Sequence, residues 1–442
     1  MGILISIFLL YQASVRADTT WMGMYLMGNK VGYSSVVVEP VNDGFKIKET
    51  NLMEVRMLGI SKKVLINSEL NTDSSYRLIS AKFNMVTQDQ KLTGNISLKK
   101  DTLFLKYQAE SSGPIIKKVN VTAPLYVETA LRLYLEKRRT KRMNVSLLDI
   151  PTATISDAVC ELVKEEGSTL TYSLTYQGTE SRIIIRKGKF VKEEGPMGIV
   201  IQVEDKNKAM EIAREIDVTE LYAVRPNVPI RASKYLRLKL IGPVGNINPA
   251  LGPQRVLEKK ANFLRLETLK PEVKCTNEKV LGDLTQYLKP DPYIQSDDPE
   301  VVALAKQITA GIENPCRKVE AIINWLQLNI RKVPSVTIPT ATDVLRERRG
   351  DCNEHAVLFA ALARASGIPT DIVVGLIYQD GAYYYHAWNM VYIGGEWIFV
   401  DPIFGEFPAS LGHLALASGS LEKQTEIMQI VGEIKIVVED QR

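Results

Sequence analysis

The stretch GDCNEHAVLFAALARASGIPTD, Gly350–Asp371, decides how the rest of the chain is read. Asp351 has a helix-capping side chain, and Glu354 three positions on completes an Asp-x-x-Glu capping box. Cys352 is then the first helical residue, where unpaired N–H groups and the positive end of the helix dipole favour a thiolate. Behind it Ala356, Val357, Leu358, Phe359, Ala360, Ala361 and Leu362 are apolar on every side, which places the helix at the centre of a domain. The residues alone leave four readings of Cys352 open: nucleophile, metal ligand, half of a disulfide, or a small apolar helix start.

A thiol nucleophile needs a base, and the chain has three histidines, His355, His386 and His413. His386 lies within a strand pattern, AYYYHAWNMVYI, on the face shared by Tyr384, Trp388 and Met390. The next strand, EWIFVDP, follows the hairpin signal Gly394-Gly395. Centring the hairpin there sets Trp388 opposite Asp401 and makes Asp401 the same-face diagonal neighbour of His386, about 7–8 Å away between backbones. A carboxylate so placed can take the imidazole N–H, orient the ring and leave its other nitrogen for Cys352. A one-residue bulge would move Asp401 to the opposite face. A metal site built from Cys352, His355 and His386 is the weaker reading, because Cys-x-x-His falls short of a zinc ligand set and helical spacing turns His355 elsewhere.

Composition limits the function classes. A net charge of +4 over 442 residues is too weak a field for nucleic acid, and the 45% hydrophobic content is that of a globular chain. Residues 1–17 read as a signal peptide, with an apolar core from Ile3 to Leu10 and Val15-Arg16-Ala17 at the cleavage position. The expected location is therefore periplasmic or secreted, or membrane-anchored if the N-terminus stays uncleaved. No other segment has the roughly 18 apolar residues of a spanning helix, so no integral span is expected in the mature chain. Four cysteines are too few for a disulfide scaffold, and spacing does not decide whether Cys275 and Cys316 are bridged.

The chain divides by pattern. Residues 18–264 alternate apolar and polar side chains between turn signals, which predicts a β-rich antiparallel region of one or two sheets with helical insertions at YVETALRLYLEKRR and DKNKAMEIAREI. Residues 265–298 are polar and Pro-punctuated and read as a linker. Residues 299–415 read as helices followed by an antiparallel meander, an α+β arrangement, and residues 416–442 as a C-terminal strand extension. The strand-rich region has no histidine and is expected to recognise a substrate or partner.

Together, LRERRGDCNEHAVLFAALARASGIPTDIVVGL and YYYHAWNMVYIGGEWIFVDPIFG resemble the core of the transglutaminase-like superfamily over about residues 290–415. The resemblance rests on the Gly-Asp-Cys helix start, the Ala-Arg-x-x-Gly-Ile-Pro exit, His-Ala-Trp and Asp-Pro. It implies a papain-like fold, with Cys352 as nucleophile, His386 as base and Asp401 as orienting acid, attacking protein or peptide amides through a thioester. No cofactor or metal is implied. Whether water or an amine accepts the acyl group stays open, as does a non-catalytic binding or assembly module on the same fold. Asn389 and Met390 stand where many members carry an acidic residue.

Overall fold

In the computed structural model the described residues are 19–442, apart from 58–59, 89–90, 110–113, 152, 177–178, 212–215, 246, 277–281, 334–339, 420–426 and 428–431. The signal-peptide reading of residues 1–17 lies outside the described residues. Within them, no helix is long and apolar enough to cross a membrane.

Alternating sequence becomes one long meander of fifteen strands. It runs from β1 (Thr19–Leu26) and β2 (Asn29–Val41) to β8 (Ile115–Asn120), then from β9 (Leu125–Tyr126) and β10 (Arg142–Asp149) to β15 (Ile199–Glu204). β1 is the seam: Trp21 faces Ser35 of β2 on one edge and Glu204 of β15 on the other. Helix α1 (Glu128–Lys137) buries Ala130, Leu131 and Leu135 against Ile47, Leu105, Tyr172 and Ile183 from both halves of the sheet. Near the two sheet ends, Tyr107 donates its hydroxyl to the Ile150 carbonyl at 2.8 Å, so the sheet curls until its ends meet. Strand twist accumulated over so many strands favours that curl over a flat sheet.

Two short helices, α2 (Lys206–Met210) and α3 (Val218–Leu221), lead to a second unit. β16 (Tyr235–Ile241), β17 (Gln254–Lys260) and β18 (Phe263–Leu269) form a separate small sheet. There follow α4 (Pro299–Ile308), α5 (Pro315–Asn329), β19 (Arg331–Lys332), α6 (Ala341–Glu347), β20 (Arg349–Gly350) and α7 (Cys352–Ala365). β21 (Thr370–Gln379), β22 (Ala382–Ile393), β23 (Glu396–Val400) and β24 (His413–Ser418) make a sheet in the order β23-β22-β21-β24. The last strand, β25 (Lys435–Gln441), returns to pair with β16.

α7 is the axis of this unit, with α4, α5 and α6 against it and β21 and β22 on the sheet side. Leu358, Phe359 and Leu362 are fully buried among Val319, Ile322 and Leu326 of α5, as the all-round apolar pattern requires. Leu238 of β16 and Leu264 and Leu266 of β18 belong to the same core. The strand-rich stretch thus splits: residues 235–269 pack with the helices, and a boundary at 264/265 falls inside β18. Alternation identifies a strand but not the sheet that accepts it. The fold is a large N-terminal antiparallel sheet followed by a mixed α/β region. A disulfide, Cys275–Cys316, ties the segment after β18 to the first turn of α5.

Candidate active site

Gly350 and Asp351 determine where Cys352 sits. Asp351 caps α7, with Oδ1 accepting from the Asn353 N–H at 3.0 Å, and its side chain also accepts from the Glu354 N–H. Glu354 Oε2 accepts from the Asp351 N–H at 2.9 Å, closing the capping box. A Cβ on Gly350 would lie 2.2 Å from the Glu354 Cβ, so the box needs glycine there. At the far end Gly367 takes φ +82, its N–H donates to Arg364 O, and the Ile368 N–H donates to Ala363 O. That is a Schellman stop, and it accounts for the Gly-Ile-Pro exit. Buried Arg364 pins the same end by donating to the carbonyls of Thr370 and Lys289.

β22 and β23 adopt the register expected from the Gly394-Gly395 turn, Ile393 opposite Glu396 and Asn389 opposite Val400, with no bulge between them. Pairing ends there, and Asp401 instead forms a bridge with Glu406. The β22 backbone from His386 to Trp388 is thereby free of β23, and a backbone hydrogen bond from Ala387 reaches the Cys352 sulfur. Asn389 locks helix to strand by donating to the Ala356 carbonyl at 3.0 Å. Cys352 and His386 are therefore brought to one place, the thiol held at the residue next to the imidazole.

His386 Nε2 lies 2.7 Å from Asp401 Oδ2, and both side chains are buried. Beside a carboxylate Nε2 carries the proton, which leaves Nδ1 as the basic nitrogen of the neutral ring. Asp401 Oδ1 accepts from the N–H groups of Ile403 and Phe404 at 2.9 and 3.0 Å. Burial alone would raise the Asp401 pKa, but the two imidazoles on Oδ2 outweigh it and hold the carboxyl well below the usual range.

The thiolate expected at a helix N-terminus is opposed by its surroundings. Burial first, then the charges of Asp351, Glu354 and Asp401, push the Cys352 thiol well above its ordinary value, and the Ala387 hydrogen bond only partly offsets them. The capping carboxylates of Asp351 and Glu354 thus act against the helix end that they cap.

The remaining histidines separate. His355 is fully buried and its Nδ1 donates back to the Asp351 carbonyl at 2.7 Å, and among the described residues it is not grouped with Cys352 and His386 at metal-ligand distances. His413, which sequence reasoning left without a role, is fully buried with Nε2 2.8 Å from Asp401 Oδ2. Among the described residues His386, Asp401 and His413 are the only trio with metal-ligand chemistry, and they spend those atoms on one another. The one signal in the sequence is the scarcity of histidine, with His413 opening the short apolar strand HLALAS.

Residues 302–402 match the transglutaminase-like superfamily, and the chain carries a transglutaminase-like domain there. The kyphoscoliosis peptidases of Mus musculus and Homo sapiens are each 36% identical over 72 residues, 14% of this chain and 11% of theirs. An uncharacterized protein of Haemophilus influenzae is 32% identical over 99 residues, 21% of this chain and 27% of its own. The chain thus spans about a tenth to a quarter of the length of these relatives. Of solved structures, the periplasmic domain of TgpA from Pseudomonas aeruginosa aligns with 43% of this chain and 77% of its own, at 18% identity and TM-score 0.30.

Proposed function

We propose that this protein is an exported thiol enzyme that opens protein or peptide amide bonds through a Cys352-His386-Asp401 triad. The observation that carries the reading is the buried 2.7 Å contact of His386 with Asp401 beside a cysteine fixed at the start of the central helix. His386 Nδ1 takes the Cys352 proton as the sulfur attacks the amide carbonyl carbon. Asp351 occupies the N–H groups of Asn353, Glu354 and His355, and among the described residues nothing takes the Cys352 N–H, which can serve the oxyanion. The amine leaves with the proton from His386, and water or a second amine, deprotonated by the same nitrogen, releases the acyl group from the thioester. The Cys275–Cys316 disulfide supports an oxidising compartment, periplasmic or secreted.

The raised Cys352 thiol favours a second reading, a binding module on the same fold. Alkylation by iodoacetamide, with peptide mapping, followed by incubation with a glutamine-containing protein and a fluorescent amine, decides between them. An enzyme is labelled at Cys352, turns over amide or incorporates amine, and loses turnover in Cys352→Ala and His386→Ala. Unchanged turnover in Cys352→Ala overturns the assignment. Folded protein with neither labelling nor turnover leaves the binding module.

A further inference from the structure

His413 shares one carboxylate oxygen with the proposed base. Nε2 of His386 and Nε2 of His413 lie 2.7 and 2.8 Å from Asp401 Oδ2, with the ring centroids 5.9 Å apart. The other nitrogen of His413, Nδ1, is 3.0 Å from the backbone carbonyl of Ser410. The carboxylate only accepts, so Nε2 donates to it; the Ser410 carbonyl also only accepts, and donation to it from Nδ1 makes the ring an imidazolium. Ser410 Oγ, 3.1 Å from Nδ1, accepts a share of that proton in the imidazolium and would donate to Nδ1 in a neutral ring. The groups that face this ring are Asp401, His386, Ser410, the Glu406 carboxylate at 4.0 Å and the apolar face of Trp388. Asp401 and Glu406 are the carboxylates facing it among the described residues.

From this geometry we infer that His413 is a positioning residue of the site, acting on His386 through Asp401. The inference rests on the triad reading. The imidazolium grips Oδ2 from one side while the Ile403 and Phe404 N–H groups grip Oδ1, so the carboxylate cannot turn away from His386. It also offsets the Asp401 charge, which otherwise disfavours the Cys352 thiolate. His413→Gln keeps a donor for Oδ2 and removes the charge; His413→Ala removes both.

Two measurements on the full chain test this. Nitrogen-15 NMR of histidine-labelled protein, simple with three imidazoles, should show both His413 nitrogens protonated at neutral pH, in wild type and in Cys352→Ala alike. Cys352 alkylation against pH should move its acid limb up by about 1–2 units in His413→Gln, the size expected for loss of one unit charge about 6–12 Å away in a medium of effective dielectric ~20. In His413→Ala the limb should move at least as far and the maximal rate fall about tenfold or more as the carboxylate loses its grip. A deprotonated Nδ1 in the spectrum, or a His413→Gln profile superimposable on wild type, overturns the inference. Failure of the triad reading gives a different pattern: His386→Ala leaves the alkylation profile unchanged while the His413 spectrum stays as stated.

Discussion

The Asp401 carboxylate accepts four hydrogen bonds, two imidazole N–H groups on one oxygen and two backbone N–H groups on the other. The backbone pair is an Asx turn that shapes the chain after β23; the imidazole pair is what the proposed triad would use. Asp401→Asn can keep the turn through its carbonyl oxygen, but its amide cannot accept from two rings. Turnover should fall by about 10³–10⁴-fold, as when a triad acid becomes its amide, while thermal stability changes little. Glu396→Gln, beside the hairpin turn opposite Ile393, is the control and should be neutral. Wild-type turnover in Asp401→Asn would leave a Cys352-His386 dyad. The contact of Asp401 with His386 was legible because a two-glycine turn sets the β22–β23 register up to Asn389 and Val400, and Asp401 follows directly on the paired strand. That of His413 was not, because the non-repeating loop from Pro402 to Gly412, bridged between Asp401 and Glu406, carries it back to Asp401.

α7 owes both ends to local chemistry, and local chemistry is what a sequence displays. Its capping box and glycine stop are formed by residues within six positions of each other. Gly350→Ala tests the N-terminal end: the new methyl would overlap the Glu354 side chain and force it off the Asp351 N–H. Loss of the box should cost about 1–2 kcal/mol. Because the cap also places Cys352, the alkylation rate should fall as well, and Glu354→Gln, whose amide oxygen can still accept, should retain most of both. Urea unfolding and alkylation kinetics of the two variants check this; equal stability of Gly350→Ala and wild type would show that the box is dispensable. The small sheet of β16, β17 and β18 was misjudged for the converse reason. Its strands alternate like any others, and what ties them to the α7 unit is packing into its core and the pairing of β16 with β25, about 200 residues downstream, which no local pattern records.

The seam strand β1 holds the halves of the fifteen-stranded sheet together, and one buried carboxylate spans it. Glu204 of β15 accepts from the Tyr25 hydroxyl of β1 at 2.6 Å and from Lys30 of β2 at 2.8 Å, with Lys208 at 3.2 Å. Burial works against the charge, but these donors win and bring the Glu204 pKa down to about 2. Neither the seam nor its carboxylate could be read from strand patterns, since β1 and β15 are separated by the whole meander. A folded pKa below the unfolded value of about 4.3 contributes stability that is complete above about pH 5 and is lost as pH falls toward 2. Glu204→Gln should therefore unfold more easily at pH 7, by about 2 kcal/mol after discounting for nearby solvent. The gap should narrow steadily between pH 5 and pH 2, where wild type surrenders the same contribution. The α7 unit has its own core, separate from that of the large sheet, so the Cys352 alkylation rate at neutral pH should not change in the folded variant. Denaturant midpoints measured across this range, with alkylation as the second readout, settle the point; a difference that stays constant from pH 7 to pH 2 would mean that the charge of Glu204 does not hold the seam.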